Sequence, residues 1–296
     1  MIDPPGAGGK ASAEQSPILP NRFSEVPVLE GAAGPNIVIE FPNSATFAAV
    51  FADPRFFIAL GIATTCGLVR GFSGFGSALI YMPLMAAVYD PLTAAVTLLL
   101  VDFISSTPFA IPEVRRCTWR EVLPISVAMA VTVPLGTYLL IVLDPLVLRW
   151  AIALLVLSLV SMLMSGWQYR GPSTLPITTA VGMFAGIGAG AAQIAGPAVI
   201  LYWLSRGNNA TTLRANLMVF FVFCGVILIA VYAAQGLFNA RLIALALLFT
   251  PCYIVGVAIG SRSFRSASDR LYRNVAYAIC LLAAILSLPI LDPILR

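Results

Sequence analysis

From Asp53 onward the chain is a succession of long apolar runs, separated by short breaks in which the charged residues gather. The pattern predicts helical segments over 54–70, 76–89, 91–111, 121–143, 146–166, 174–189, 192–205, 213–234, 241–260 and 271–290. Several of these reach the ~20 residues that a helix needs to cross hydrocarbon. The segments 76–89 and 192–205 are short and follow glycine clusters, so each either spans or re-enters. Three helix starts carry an Asp-Pro pair, at Asp53-Pro54, Asp90-Pro91 and Asp144-Pro145. There the carboxylate caps free amides and proline takes the first helical position, where no hydrogen bond is lost.

Residues 1–53 are different. They hold Pro4, Pro5, Pro17, Pro20, Pro27, Pro35 and Pro42 and no sustained apolar run before about Thr46. A disordered tail is expected, ending in a short interfacial helix near Ser44–Ala52. No basic stretch leads into an apolar one, so a cleavable signal peptide is not expected, and a start further downstream stays open.

Composition turns this pattern into a fold class. The 296 residues are 59% hydrophobic and only 10% charged, where a soluble domain carries about 25% charged residues. Too little polar surface exists to cover such a chain in water, so its solvent is the lipid bilayer. The expectation is an all-α membrane protein of about eight to ten transmembrane or re-entrant helices. Sixteen Arg and one Lys face thirteen acids. These charges lie between apolar runs, so they report orientation and give no case for nucleic-acid binding.

The glycine clusters match one another. Gly74-Phe-Gly76 followed by Pro83 and Gly188-Ala-Gly190 followed by Pro197 both read G-x-G-x6-P, offset by 114 residues. The same offset pairs Thr97 with Thr211 and Asp102 with Asn216; further on, Gly136 to Arg149 and Gly260 to Arg273 share one spacing. Two homologous halves are predicted, 54–170 and 171–296, after the 1–53 tail.

If all ten segments cross, one side collects eleven arginines: Arg70, Arg115, Arg116, Arg120, Arg170, Arg206, Arg214, Arg262, Arg265, Arg270 and Arg273. The other keeps Arg55, Arg149, Arg241 and Arg296, with Lys10 and Arg22 in the tail. The positive-inside rule makes the first side cytoplasmic and both termini external. Corresponding loops differ in charge, three Arg in 112–120 against one near 236–241, which is what inverted repeats require.

Chemistry is sparse. Histidine is absent, which removes the usual general base and commonest metal ligand. The five cysteines (Cys66, Cys117, Cys224, Cys252 and Cys280) are scattered without a C-x-x-C pair and read as small core hydrophobes. Gly71-Phe-Ser73-Gly74 has the G-x-S-G form of rhomboid proteases, but no histidine exists to activate the serine. No catalytic residue, metal or cofactor is expected.

A helix break at membrane depth is tolerated mainly where it lines a cavity. Its helix N-terminus then presents free amides and partial positive charge, which suits an anion. Paired breaks would set two such termini near the midplane. Ser73, Gly74, Gly76, Ser77, Gly188, Gly190, Gln193 and Asn216 are therefore the candidate substrate contacts; the same glycines would equally serve close helix packing. Asp102 lies eleven residues into its span with Ser105 and Ser106 on the same face. It reads either as the group that takes up a coupling proton or as half of a fixed pair with Arg70 or Arg214. Arg70 is either an anion contact or a cytoplasmic-end arginine.

Gly67, Gly71, Gly74, Gly76 and Pro83, with the second set Gly182, Gly186, Gly188, Gly190 and Pro197, resemble the motifs of the sulfite exporter TauE/SafE family of membrane permeases. The resemblance covers about 54–290. The family's glycine run is usually richer, G-x-G-G-G; Ser77, Ala78, Ala191 and Ala192 stand in its place here. It implies a secondary transporter, usually of the bacterial inner membrane, for sulfite, an organosulfonate or a related oxyanion. No Walker A motif is present, so the expected drive is the proton gradient. A passive anion channel and a non-catalytic partner subunit are the alternatives, and a homo-oligomer stays open.

Overall fold

The computed structural model describes residues 41–73, 76–165, 174–204 and 210–263. Among these the chain is all helix. The tail before Phe41, Gly74 and the segment expected at 271–290 lie outside the described residues.

Ten α-helices follow in order: α1 (Ser44–Phe51), α2 (Phe56–Ser73), α3 (Ser77–Val88), α4 (Pro91–Ala110), α5 (Trp119–Val142), α6 (Pro145–Met164), α7 (Leu175–Ala192), α8 (Gly196–Leu204), α9 (Ala210–Ala234) and α10 (Ala240–Ser263), with a 3-10 turn at Ile111–Arg115. Six of them, α4, α5, α6, α7, α9 and α10, are long and apolar enough to cross a bilayer. The bent pair α1 and α2 meets at 90°, so α1 turns away from the line of α2. With 12 residues, α3 rises only about 18 Å, well short of the ~30 Å hydrocarbon core, and the described part of α8 has 9 residues.

The local starts follow from the side chains. The Asp90 carboxylate accepts from the Thr93 amide at 2.8 Å and from its hydroxyl at 2.6 Å, with Pro91 opening α4. The Asp144 carboxylate accepts from the Leu146 amide at 2.8 Å ahead of α6. Asn43 and Thr46 cap α1 reciprocally. Arg149 is buried within α6.

Packing depends on backbones that approach closely. α2 lies along α10, and α5 lies along α7. At Gly67 and Gly71 an added methyl would overlap the carbonyls of Tyr253 and Val257. At Gly186 and Gly190 it would overlap those of Met129 and Val133. In both pairs the contacts recur four residues apart on each helix, one turn of a shared seam. α4 also packs on α10, α5 on α9, and α4 on α9. Exchanging α2 with α7, α4 with α9 and α5 with α10 converts these pairs into one another.

Outward, α5 exposes Leu123, Val127, Val131, Leu135 and Tyr138, an apolar stripe of the kind that meets lipid rather than water. Buried threonines return their hydroxyls to their own helix, as Thr97 does to the Thr93 carbonyl at 2.6 Å. No water is then needed to satisfy them.

Candidate anion site between two helix breaks

Both breaks open on one cavity of about 60 Å³, room for a few waters or one small anion. One wall is Gly76, Ser77 and Ala78 at the start of α3; another is Gln193 to Pro197 at the start of α8. Gly76 adopts φ +91°, a left-handed conformation that favours glycine, and α3 has no side-chain cap. Gln193 ends α7 with φ +58°, and the Ile194 amide bonds back to the Gly188 carbonyl at 3.0 Å. Two helix N-termini, each a source of partial positive charge, thus border the same space.

Within the 74–76 cluster, the described Gly76 sits at the first break, directly ahead of α3. The second does not fall on Gly188 and Gly190: α7 runs unbroken through both and stops at Ala192. Gly190 belongs to the α5 seam, and Gly188 makes room for the Ile194 carbonyl. Pro83 lies inside α3, whereas Pro197 is the second residue of α8. The motif therefore occupies different local positions at its two occurrences.

The remaining walls come from α2, α4 and α9. Leu99, Asp102, Phe103 and Ser106 of α4 border the cavity at i, i+3, i+4 and i+7, and Phe221, Cys224, Gly225 and Leu228 of α9 border it at the same spacing. By that register the residue opposite Asp102 is Cys224. Asn216 is not in the lining. It is fully buried, accepts from the Thr118 amide at 2.7 Å and donates to Glu121 at 3.3 Å, capping the start of α5.

Arg70 and Asp102 are the charged residues of the lining. Arg70 Nη2 donates to Asp102 Oδ2 and to Ser106 Oγ, both at 2.9 Å. Its guanidinium carbon lies 5.3 Å from the centroid of the Phe221 ring. The Tyr253 hydroxyl of α10 donates to Asp102 Oδ1 at 2.8 Å, and the Ser77 side chain lies near it. A polar chain thus runs from Tyr253 through Asp102 to Arg70 and Ser106. On the other side, Gln193 Nε2 donates to the Tyr232 hydroxyl at 3.3 Å, and that hydroxyl donates to the Gly190 carbonyl at 2.9 Å.

Of the sequence candidates, Gly76, Ser77, Gln193, Asp102 and Arg70 meet at the cavity. Ser73 is the last residue of α2. Arg70 is neither free nor at a loop: only 11% of its side chain is exposed. Nothing in the sequence marks Tyr253, Phe221 or Cys224, since each is one apolar-compatible residue in an apolar run. No cluster of potential metal ligands occurs among the described residues.

The family model described as sulfite exporter TauE/SafE matches residues 58–287. The chain belongs to the sulfite exporter TauE/SafE family. That match takes in both breaks, Arg70, Asp102 and Tyr253, and leaves out α1. No curated protein and no solved structure matches the chain. A TauE/SafE protein is a multi-pass membrane transporter of sulfite or related anions, and the all-helical, lipid-facing architecture fits that role.

Proposed function

We propose that this TauE/SafE protein is a proton-driven secondary carrier that holds a small oxyanion, sulfite or a compact sulfonate, between the starts of α3 and α8. The single observation behind this reading is the convergence of two helix N-termini and the Arg70 guanidinium on one small cavity. Helix N-termini and arginine are the groups that recognise oxyanions most directly. Asp102 is the coupling group in this reading, because it is the carboxylate in the lining and one of its oxygens already bonds Arg70.

The two halves are inverted repeats in the same reading. Support comes from the loop charges and from packing pairs that interchange when the halves are exchanged. The arginine-rich 112–120 side is cytoplasmic, and the membrane is the bacterial inner membrane. Alternating access then moves one half against the other around the cavity.

The test is uptake of labelled sulfite, sulfoacetate and a panel of inorganic oxyanions by proteoliposomes under an imposed pH gradient. Saturable, gradient-dependent flux above that of protein-free liposomes is expected for at least one compact oxyanion. Absence of such flux across the panel overturns the reading, and unitary currents in a planar bilayer would replace it with a channel.

A further inference from the structure

Resting on that reading, we infer that Arg70 is shared in alternation between Asp102 and the transported anion, so each monoanion loads together with one proton and crosses without net charge movement.

The argument starts from charge. Among the described residues the lining holds one cation and one anion, Arg70 and Asp102, and they neutralise each other at 2.9 Å. With side chains only 11% and 24% exposed, the pair lies in a partly desolvated site. A second negative charge entering such a site, with the guanidinium already committed, is strongly disfavoured. Protonation of Asp102 removes that obstacle. The guanidinium then keeps its contact with Ser106 and turns its freed donors to the anion, and the site is neutral again. The empty site and the loaded site therefore carry the same charge.

The surroundings of Asp102 suit both states. On α2 it faces Arg70, on α4 Ser106 stands beside it, on α10 it accepts from Tyr253, and on α9 the Cys224 thiol borders the same cavity. Among the described residues no second carboxylate lines the cavity to take the proton in its place. Tyr253 can donate to the carboxylate or, by turning its hydroxyl, accept from the protonated acid. Ser77, the first residue of α3 and part of one of the two proposed anion-binding termini, lines the same cavity. The step breaks no covalent bond except the one between proton and solvent: a proton passes from water to an Asp102 oxygen on loading and returns to water on release.

The experiment is flux of sulfite, held as the monoanion by acidic buffer on both sides, in proteoliposomes with the pH gradient and the membrane potential imposed separately, the potential by a potassium gradient with valinomycin. For the unaltered protein, the pH gradient is expected to drive flux and the potential to leave it unchanged within error. Asp102→Asn, which keeps a neutral partner in place, is expected to invert this, with flux driven by potential and indifferent to the pH gradient. Potential-driven flux in the unaltered protein overturns the inference, as does an Asp102→Asn variant that keeps gradient-driven, potential-insensitive flux. If that variant does not fold, the response of the unaltered protein to potential decides the matter by itself. No flux under either gradient defeats the transport reading itself; flux with the wrong charge defeats the inference alone.

Discussion

The Arg70 guanidinium bonds the Asp102 carboxylate at 2.9 Å across α2 and α4, in the wall of a cavity that two helix breaks share. Removing one member of this partly buried pair leaves the other charge uncompensated, at a cost of about 1–3 kcal/mol. Arg70→Gln is therefore expected to lower the melting temperature clearly, and the double variant Arg70→Gln/Asp102→Asn to recover most of the loss. Melting curves of the three purified proteins check this. A double variant less stable than Arg70→Gln would contradict the pairing.

The glycine seams predict a position-specific tolerance. Gly71→Ala forces a methyl against the Val257 carbonyl, and Gly190→Ala against the Val133 carbonyl. Overpacking of this kind costs about 1–3 kcal/mol, so both variants are expected to melt earlier and to yield less folded protein. Gly61→Ala on the same helix as Gly71 meets nothing within 4 Å and is expected to be neutral. Equal tolerance at Gly61 and Gly71 would count against the close α2–α10 contact.

Asn216 separates packing from binding. Its side chain caps α5 from a distance of 98 residues in sequence, and loss of such a cap costs about 1 kcal/mol. Asn216→Ala is expected to lower stability while leaving the KM for the transported anion unchanged. A several-fold rise in KM with unchanged melting would return Asn216 to the binding site.

Cys117 reports sidedness. It lies between the 3-10 turn and α5, next to Arg115, Arg116 and Arg120, and its thiol donates to the Val114 carbonyl at 3.3 Å. Burial pushes the Cys117 thiol above its ordinary pKa. The thiolate is the reacting form, so labelling by an impermeant maleimide is expected to be slow near neutrality and to accelerate as pH rises. It is expected in inverted vesicles and not in intact cells. Labelling from outside intact cells would reverse the assigned orientation.

Much of the fold is written locally in the chain. Asp90-Pro91 and Asp144-Pro145 open α4 and α6 because a short carboxylate and a fixed φ act within one turn. The helix expected near Ser44–Ala52 is α1, held by the same kind of local cap from Asn43 and Thr46. The first break is legible because Gly76 must take a left-handed φ. The second is not, since its left-handed residue is Gln193 and the nearby glycines Gly186 and Gly190 serve α5 instead. A glycine that turns the chain and a glycine that admits a neighbour look alike in sequence. Asp102 lines the cavity and Asn216, its partner at the 114-residue offset, does not, a difference that depends on which way each helix faces and not on the offset. Arg70 counts as one more positive charge until its depth is known, and only tertiary structure brings Tyr253 to Asp102 from 151 residues away.

Counterflow of labelled sulfite tests most directly whether one anion site at this cavity is carried across the membrane. Proteoliposomes preloaded with excess unlabelled sulfite and diluted into labelled sulfite should accumulate label transiently above its equilibrium level. The same preparation of Arg70→Gln should not. Label that rises smoothly to equilibrium in the unaltered protein, or an overshoot that survives Arg70→Gln unchanged, would contradict the account.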